Sequence, residues 1–306
     1  RGSCPHPCFP LECPRCLTAR ARPRPVTAGT SPPTRAPGRV KEVSSVSNPI
    51  VKDIRALAQK RHRDETGLFL AEGLKLVGDA LDAGWEIQTL VIARAAAGHE
   101  FLEKTAARTV SLGGDVLEAN AKVLEAVTRR DNPQNAVGVF RRRLTPLAKL
   151  DVSGRNVIVA LDRVRDPGNL GTVLRTADAA GASGVVLIGE TVDPFSLETV
   201  RATMGSIFAV PLARASEAEF LEWRKGFSGL VAGTHMEGAV DYRKPEYGAQ
   251  PTILLMGNEQ AGLTPSLARS CDVLVRIPQS GRADSLNLAV ATGVMLFEAR
   301  RGALTL

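Results

Sequence analysis

Long apolar runs are missing from this chain of 306 residues, so no segment reads as a membrane span. Its first 40 residues also lack the apolar core of a secretory signal, and a cytoplasmic protein is the expectation. Aromatic residues are scarce, at 4%, which argues against a surface that binds by stacking bases on Phe and Tyr. The glycine fingerprint G-x-G-x-x-G is absent, which counts against an ordinary dinucleotide site. Histidines are few and scattered, at His6, His62, His99 and His235, and suggest no metal centre. Four of the five cysteines, Cys4, Cys8, Cys13 and Cys16, lie close together and could in principle complete a tetrahedral zinc shell. Pro5, Pro7, Pro10 and Pro14 interrupt them, and no hairpin or helix pattern supports such a site, so no metal is expected. The remaining Cys271 reads as a small buried residue and not as a nucleophile.

What is present begins with charge. The net charge of +7 suggests a polyanionic partner, but its location weakens that reading. Residues 1–41 hold eight basic residues and one acidic residue, Glu12, while the remainder holds 31 of each sign. Any contact with nucleic acid by the folded part must therefore come from local patches. The candidates are Arg129-Arg130, Arg141-Arg142-Arg143 and Lys60-Arg61-His62-Arg63, against the ordinary reading that charge runs form solvated faces.

Composition divides the chain. Residues 1–44 are rich in Pro, Arg, Gly, Ser and Thr, show no hydrophobic period and read as a disordered tail. Residues 45–143 read as a small α/β domain. It has a helix around Ile50–Ala58, strands at Leu68–Ala71, Ile87–Ile92, Thr109–Leu112 and Ala136–Phe140, and helices at Glu72–Ala83 and Gly98–Ala107. Residues 144–152, with Pro146, read as a linker. In residues 153–306 the strands become nearly continuous apolar runs: Val157–Leu161, Val185–Ile188, Leu230–Ala232, Ile253–Met256 and Val273–Ile277. Helical segments intervene at Leu170–Ala180, Leu197–Met204, Glu217–Lys225 and Leu286–Arg300. Strands apolar on both faces that alternate with helices imply an α/β fold with a mostly parallel sheet. Such sheets bind ligands beyond the carboxyl ends of their strands, so the loops there are where chemistry belongs.

Three of those loops carry polar residues. In Asp162–Arg175, Pro167-Gly168 makes a turn, Asn169 is placed as a helix N-cap, Gly171 permits close helix packing, and Arg175 follows on the helix. In Met256–Leu263, Gly257 and Gly262 flank Glu259 directly after a buried strand, where glycine permits close approach to a ligand. In Ile277–Asn287, Pro278 follows the strand and Asp284 or Ser285 can cap the next helix. Capping then leaves Asn287 unexplained, and helix starts direct N–H groups at anions.

Taken together and in order, the loops resemble the SpoU (TrmH-like) family of RNA ribose methyltransferases, within the SPOUT class. Asn169–Arg175 is similar to the family's N-x-x-G-x-x-x-R motif, Gly257–Leu263 to G-x-E-x-x-G-L, and Ile277–Asn287 to I-P followed by S-L-N. The resemblance covers roughly residues 155–302. Phe69-Leu-Ala-Glu-Gly-Leu-Lys-Leu-Val and the Asn132-Pro-Gln stretch resemble the substrate-binding domain that precedes the catalytic domain in many members.

The resemblance implies a C-terminal deep trefoil knot behind a small α/β RNA-binding domain, and a homodimer formed by the catalytic domain. It implies S-adenosylmethionine held by Thr234, Gly257, Ile277, Pro278 and Leu286. The implied reaction is attack of a ribose 2′-hydroxyl on the methyl group, with Arg175, Asn169, Glu259, Ser285 and Asn287 at the reacting centre. Arginine is a poor free base, so Arg175 is either perturbed by a phosphate or acts as a fork that holds phosphate and hydroxyl in line. Glu259 is expected to fix loops or Arg175 by charge pairing. RNA capture falls to Arg129, Arg130, Arg141 and Arg142. Members with this architecture commonly modify ribosomal RNA, and some relatives confer antibiotic resistance by it. The alternatives are a transfer-RNA methyltransferase, a non-catalytic RNA-binding relative and a nucleotide-using dehydrogenase.

Overall fold

The structure is a computed structural model. It describes residues 36–305 apart from 97, 237–239 and 283–284, so the four N-terminal cysteines lie outside the described residues. Two sheets organise the rest. The first contains β1 (Val40–Val43), β2 (Leu68–Glu72), β3 (Ile87–Ala93), β4 (Asp115–Ala119) and β5 (Ala136–Arg141), in the order β1-β4-β3-β5-β2. β1, β4 and β3 run parallel, whereas β5 pairs antiparallel with β3 and β2. The helices of this part are α1 (Pro49–Ala56), α2 (Lys60–Thr66), α3 (Leu74–Asp82), α4 (Glu100–Ser111) and α5 (Ala121–Thr128).

Residues 40–43 are no part of a disordered tail. They form the edge strand β1, held to β4 by backbone pairing and by a 2.7 Å ion pair from Lys41 to Asp115. Thr109–Leu112 is not a strand but the end of α4, because Gly113-Gly114 places the turn two residues later and the strand follows it. Helix α3 starts after Gly73, whose φ of 115° ends β2, so Glu72 belongs to the strand. Helix α5, missed in the sequence, is capped by Asn120, which accepts from Val123 N at 3.0 Å, and it buries Val123, Leu124 and Val127.

The second sheet contains β6 (Val157–Asp162), β7 (Gly184–Ile188), β8 (Leu212–Ala215), β9 (Leu230–Thr234), β10 (Val240–Asp241), β11 (Thr252–Met256) and β12 (Val273–Arg276). The order is β10-β12-β9-β11-β6-β7-β8, and every pairing is parallel. Helices α6 (Pro167–Ala179), α7 (Leu197–Ala202), α8 (Glu217–Lys225), α9 (Pro265–Arg269) and α10 (Leu288–Arg300) cover it. The central strands β6, β7 and β11 are buried along their whole length, as continuous apolar runs between two helical layers require. α6 packs on α7 so closely that a Cβ on Gly171 would lie 2.3 Å from the Ala202 Cβ, which is the close packing read for that glycine. α7 ends two residues earlier than read, because Met204 and Gly205 both take positive φ.

The segment after β7 ties the two sheets into one body. Phe195, Val200, Ile207 and Phe208 pack into the core beneath β2, β3 and β5. Phe195 and Phe69 have ring centroids 4.9 Å apart, and the Trp85 indole donates to the Phe208 carbonyl at 3.0 Å. Two ion pairs cross the same junction. Arg63 on α2 meets Asp193 at 2.7 Å with both side chains buried, and Arg201 on α7 meets the buried Glu72 at 2.6 Å. Part of the expected linker is pinned as well: Thr145 N donates to Leu212 O at 2.7 Å, and Leu150 is buried.

Candidate active site at the carboxyl ends of the second sheet

Strands β6, β9, β11 and β12 end on the same side, and the loops that follow them meet. Helix α6 starts after Asp166, whose side chain accepts from Asn169 N at 2.6 Å, with Pro167 in the first turn. Asp166, not Asn169, is therefore the cap. The Asn169 side chain is released from capping and points across to the loop after β11, where its Nδ2 donates to Glu259 Oε1 at 3.2 Å. Its Oδ1 accepts from Asn287 Nδ2 at 2.9 Å. Asn287 in turn caps α10, accepting from Ala289 N and Val290 N, so that helix begins two residues after the expected start. One amide side chain thus does both jobs, cap and link, which corrects the reading that capping leaves Asn287 unexplained. Glu259, Asn169 and Asn287, from three distant loops, form a continuous hydrogen-bonded chain.

Beside that chain lies a cavity of about 380 Å³. Thr234, Gly257, Ile277 and Leu286, expected to hold the cofactor, line it together with Glu259 and Ser285, whereas Pro278 is not among its lining residues. Met256, Val275 and Leu288 give it an apolar floor, and His235, Asn258 and Gln279 contribute polar groups. Gly257 has a different reason from the one expected. The loop closes on itself through Asn258 N to Gly262 O at 3.1 Å and Gly262 N to Asn258 O at 3.0 Å. A Cβ on Gly257 would lie 2.7 Å from the Gly262 carbonyl carbon, so the close approach is to its own loop. Gly262 takes a φ of 64° to make the same turn.

Arg175 stands apart. It is exposed on α6 and has no hydrogen-bond or ion-pair partner among the described residues, so Glu259 pairs with Asn169 and Asn258 and not with Arg175. The basic patches also divide. Arg63 is withdrawn from any RNA surface, since it is 3% exposed and held by Asp193, Leu57 O and Ala58 O. Lys60 and Arg61 pair with Asp64 and Glu65 one turn on. Arg142 pairs with Asp64 and lies over the Phe195 ring, Arg143 lies over Trp85, and Arg141 pairs with Glu86. Arg129 is exposed at the left-handed end of α5, and Arg130 beside it is 3.8 Å from Glu72. Cys271 is partly buried, with its thiol donating to Leu267 O, and burial pushes its pKa up to about 12.

A parallel α/β sheet with a ligand-sized cavity beyond its strand ends, walled by polar loops, defines a protein that binds a small cofactor or substrate there. The chain belongs to the SpoU rRNA methylase family. The family's profile matches residues 156–297, and that of the MRM3-like substrate-binding domain matches residues 48–138. The chain is 33% identical, over 85% of its length and all of the relative's, to the 23S rRNA (guanosine(2553)-2′-O)-methyltransferase RlmP of Bacillus subtilis. It is 31% identical, over 80% of its length and 86% of the relative's, to the 23S rRNA (uridine(2479)-2′-O)-methyltransferase of Streptomyces viridochromogenes. Among solved structures, the AdoMet-bound rRNA methyltransferase from Sinorhizobium meliloti superimposes with a TM-score of 0.83 at 62% identity, covering 87% of this chain and 99% of that one.

Proposed function

We propose that this protein transfers a methyl group from S-adenosylmethionine to a ribose 2′-hydroxyl of RNA, with 23S ribosomal RNA as the substrate. The observation that carries the reading is the meeting of Glu259, Asn169 and Asn287 in one hydrogen-bonded chain at the rim of a cavity lined by Thr234, Gly257, Ile277 and Leu286. The residues fit the cofactor. The cavity lies within the usual range for ligand pockets, about 300–1,000 Å³. Its floor of Met256, Val275 and Leu288 suits an apolar purine face, and the Glu259 carboxylate at its rim suits a cationic ligand. When bound, the sulfonium supplies an activated methyl group and its own leaving group, which leaves the protein to supply position and electrostatics.

The side chains divide that work. Asn287 and Glu259 hold Asn169 from opposite sides, so its amide is fixed for a ribose hydroxyl, and Ser285 lies on the same rim. Arg175 acts as a fork for phosphate and hydroxyl, while a water or a phosphate oxygen takes the hydroxyl proton. Residues 40–143 serve as the RNA-binding domain, 144–152 as the connection and 153–306 as the methyltransferase domain with the family's trefoil knot, in which α10 packs against β6 and α6. RNA capture falls to Arg129, Arg130 and Arg141, which are exposed, and less to Arg142, which is partly buried and paired with Asp64.

The protein works as a homodimer in the cytoplasm. Val290 and Phe297 are 54% and 48% exposed on one side of α10, an apolar stripe that a second copy would cover. Arg175, exposed on the helix α6 that packs against α10, has no hydrogen-bond or ion-pair partner among the described residues and is available to such a copy or to RNA. Among the described residues no helix is long and apolar enough to cross a membrane.

The test is transfer of labelled methyl groups to ribosomal RNA followed by alkaline hydrolysis. Label retained in alkali-resistant dinucleotides is the expected result, because a methylated 2′-oxygen cannot attack its neighbouring phosphate. Label released in mononucleotides would place the methyl on a base and overturn the reaction, and label in transfer RNA alone would overturn the substrate.

A further inference from the structure

At the carboxyl end of β6, Asp162 is 1% exposed, an unusual site for a carboxylate, and the Arg163 that follows it has a φ of 48°. Together they face the loop between β11 and α9. The Arg163 guanidinium makes two hydrogen bonds to its neighbour, Nε to Asp162 Oδ1 at 2.8 Å and Nη2 to Asp162 Oδ2 at 2.9 Å. Nη2 also reaches Gly262 O at 3.3 Å. Asp162 Oδ2 accepts from Thr264 N at 3.3 Å, at the far end of the same loop. The Arg163 carbonyl accepts from Asn258 Nδ2 at 2.9 Å, at its near end. Asn258 is the loop's internal brace, its Oδ1 accepting from Gln260 N and Ala261 N at 3.0 Å. The left-handed backbone at Arg163 accompanies an arrangement in which side chain and carbonyl both meet one loop, and a non-glycine residue kept in that region marks a built feature. The loop so held carries Glu259 and one wall of the cavity.

We infer that Asp162 and Arg163 form a latch that positions the Gly257–Leu263 loop for cofactor binding, with neither residue touching the cofactor. The inference rests on the proposed cofactor only for its second readout. The first readout concerns the protein alone: the latch holds the loop at Asn258, Gly262 and Thr264, so losing it loosens a loop whose other side-chain tie to the rest of the fold is the 3.2 Å bond from Asn169 to Glu259.

The informative variant is Arg163→Gly, made together with Asp162→Asn, because glycine accepts the positive φ without strain and no unpaired carboxylate then stays buried. Arg163→Lys is its companion, able to reach Asp162 but not to span both carboxylate oxygens and Gly262 O. Amide hydrogen exchange at residues 258–264 in the ligand-free protein should quicken about tenfold in the double variant, and the cofactor Kd measured by calorimetry should rise about tenfold. Arg163→Lys should fall between the variant and the wild type in both, and exchange in the strands of the first sheet should not change. Unchanged exchange in the loop, or a rise spread evenly over the chain, would overturn the latch. Faster loop exchange with an unchanged Kd would overturn its service to the pocket. Failure of the wild-type protein to bind S-adenosylmethionine would refute the functional reading, and the exchange data would still decide the latch.

Discussion

Replacing Arg63 with alanine would strand a buried carboxylate at the junction of the two sheets. In the wild type, Asp193 receives Arg63 Nε at 2.8 Å and Nη2 at 2.7 Å, while Nη1 satisfies Leu57 O and Ala58 O at 2.8 and 2.9 Å. Both side chains are less than a tenth exposed. After the substitution Asp193 keeps only the Phe195 amide, at 2.9 Å, and two backbone carbonyls lose a donor. Breaking a buried pair from one side costs about 3–5 kcal/mol. At about 2–4 °C per kcal/mol for a domain of this size, the Tm should fall by roughly 10 °C. Urea unfolding followed by fluorescence measures the loss directly, since Trp85 lies at the junction and Trp223 on α8, so the two report on different sheets. Their transitions should coincide, because the core residues of the first sheet interlock with Phe195 and Phe208. The double variant Arg63→Met with Asp193→Asn should recover more than half of the loss, since no unpaired charge stays buried. A loss under about 1 kcal/mol in Arg63→Ala, the range of an exposed pair, would refute the buried junction.

Other outcomes follow from the same geometry. Arg175→Ala should abolish methyl transfer while the cofactor Kd, measured by calorimetry, moves less than about threefold, because Arg175 is exposed and is not among the residues that line the cavity; that threefold is under 1 kcal/mol. Asn169→Ala cuts the Glu259–Asn287 chain in its middle and should lower kcat at least tenfold, about 1.4 kcal/mol, with the Tm nearly unchanged, since Asp166 and not Asn169 caps α6. Gly171→Ala should lower stability by about 1–3 kcal/mol in urea titrations despite its better helix propensity, because its Cβ would meet the Ala202 backbone at 2.9 Å. At pH 8, Cys271 should alkylate roughly a thousandfold more slowly than a free thiol, whose pKa is about 8.5, and peptide mapping separates it from the N-terminal cysteines. That protection should diminish as the pH rises towards 12, the value to which burial pushes the thiol.

The second sheet was the more legible part of the sequence, and the reason is physical. A parallel strand covered on both faces must be apolar throughout, so β6, β7, β9, β11 and β12 appeared as runs, and the loops at their ends followed from the alternation with helices. Edge elements were not legible. β1 is half polar and exists because β4 offers it a partner 72 residues or more further on, a contact no local pattern contains. β8 is a similarly short edge strand. Helix α5 carries a readable signal, Asn120 as cap before the helical spacing of Val123, Leu124 and Val127.

At the site, residue types were legible and their partners were not. Asn169 and Asn287 both look like caps, and only the fold decides that Asn287 caps while Asn169 bridges. Arg63 looked like part of a solvated basic run, and a burial partner 130 residues away determines otherwise. The charged end of an apolar strand, Asp162 after Val157–Leu161, was the available hint of the latch, because a carboxylate at such a position requires partners.

Ribose methylation by this protein is tested most directly by incubating it with S-adenosylmethionine and ribosomal RNA that lacks the modification, then digesting the RNA to nucleosides for mass analysis, with Arg175→Ala in parallel. One new 2′-O-methyl nucleoside, formed in the large-subunit RNA by the wild type and absent with Arg175→Ala, is the predicted result. Methylation of a base, or a 2′-O-methyl nucleoside formed equally well by Arg175→Ala, would contradict it.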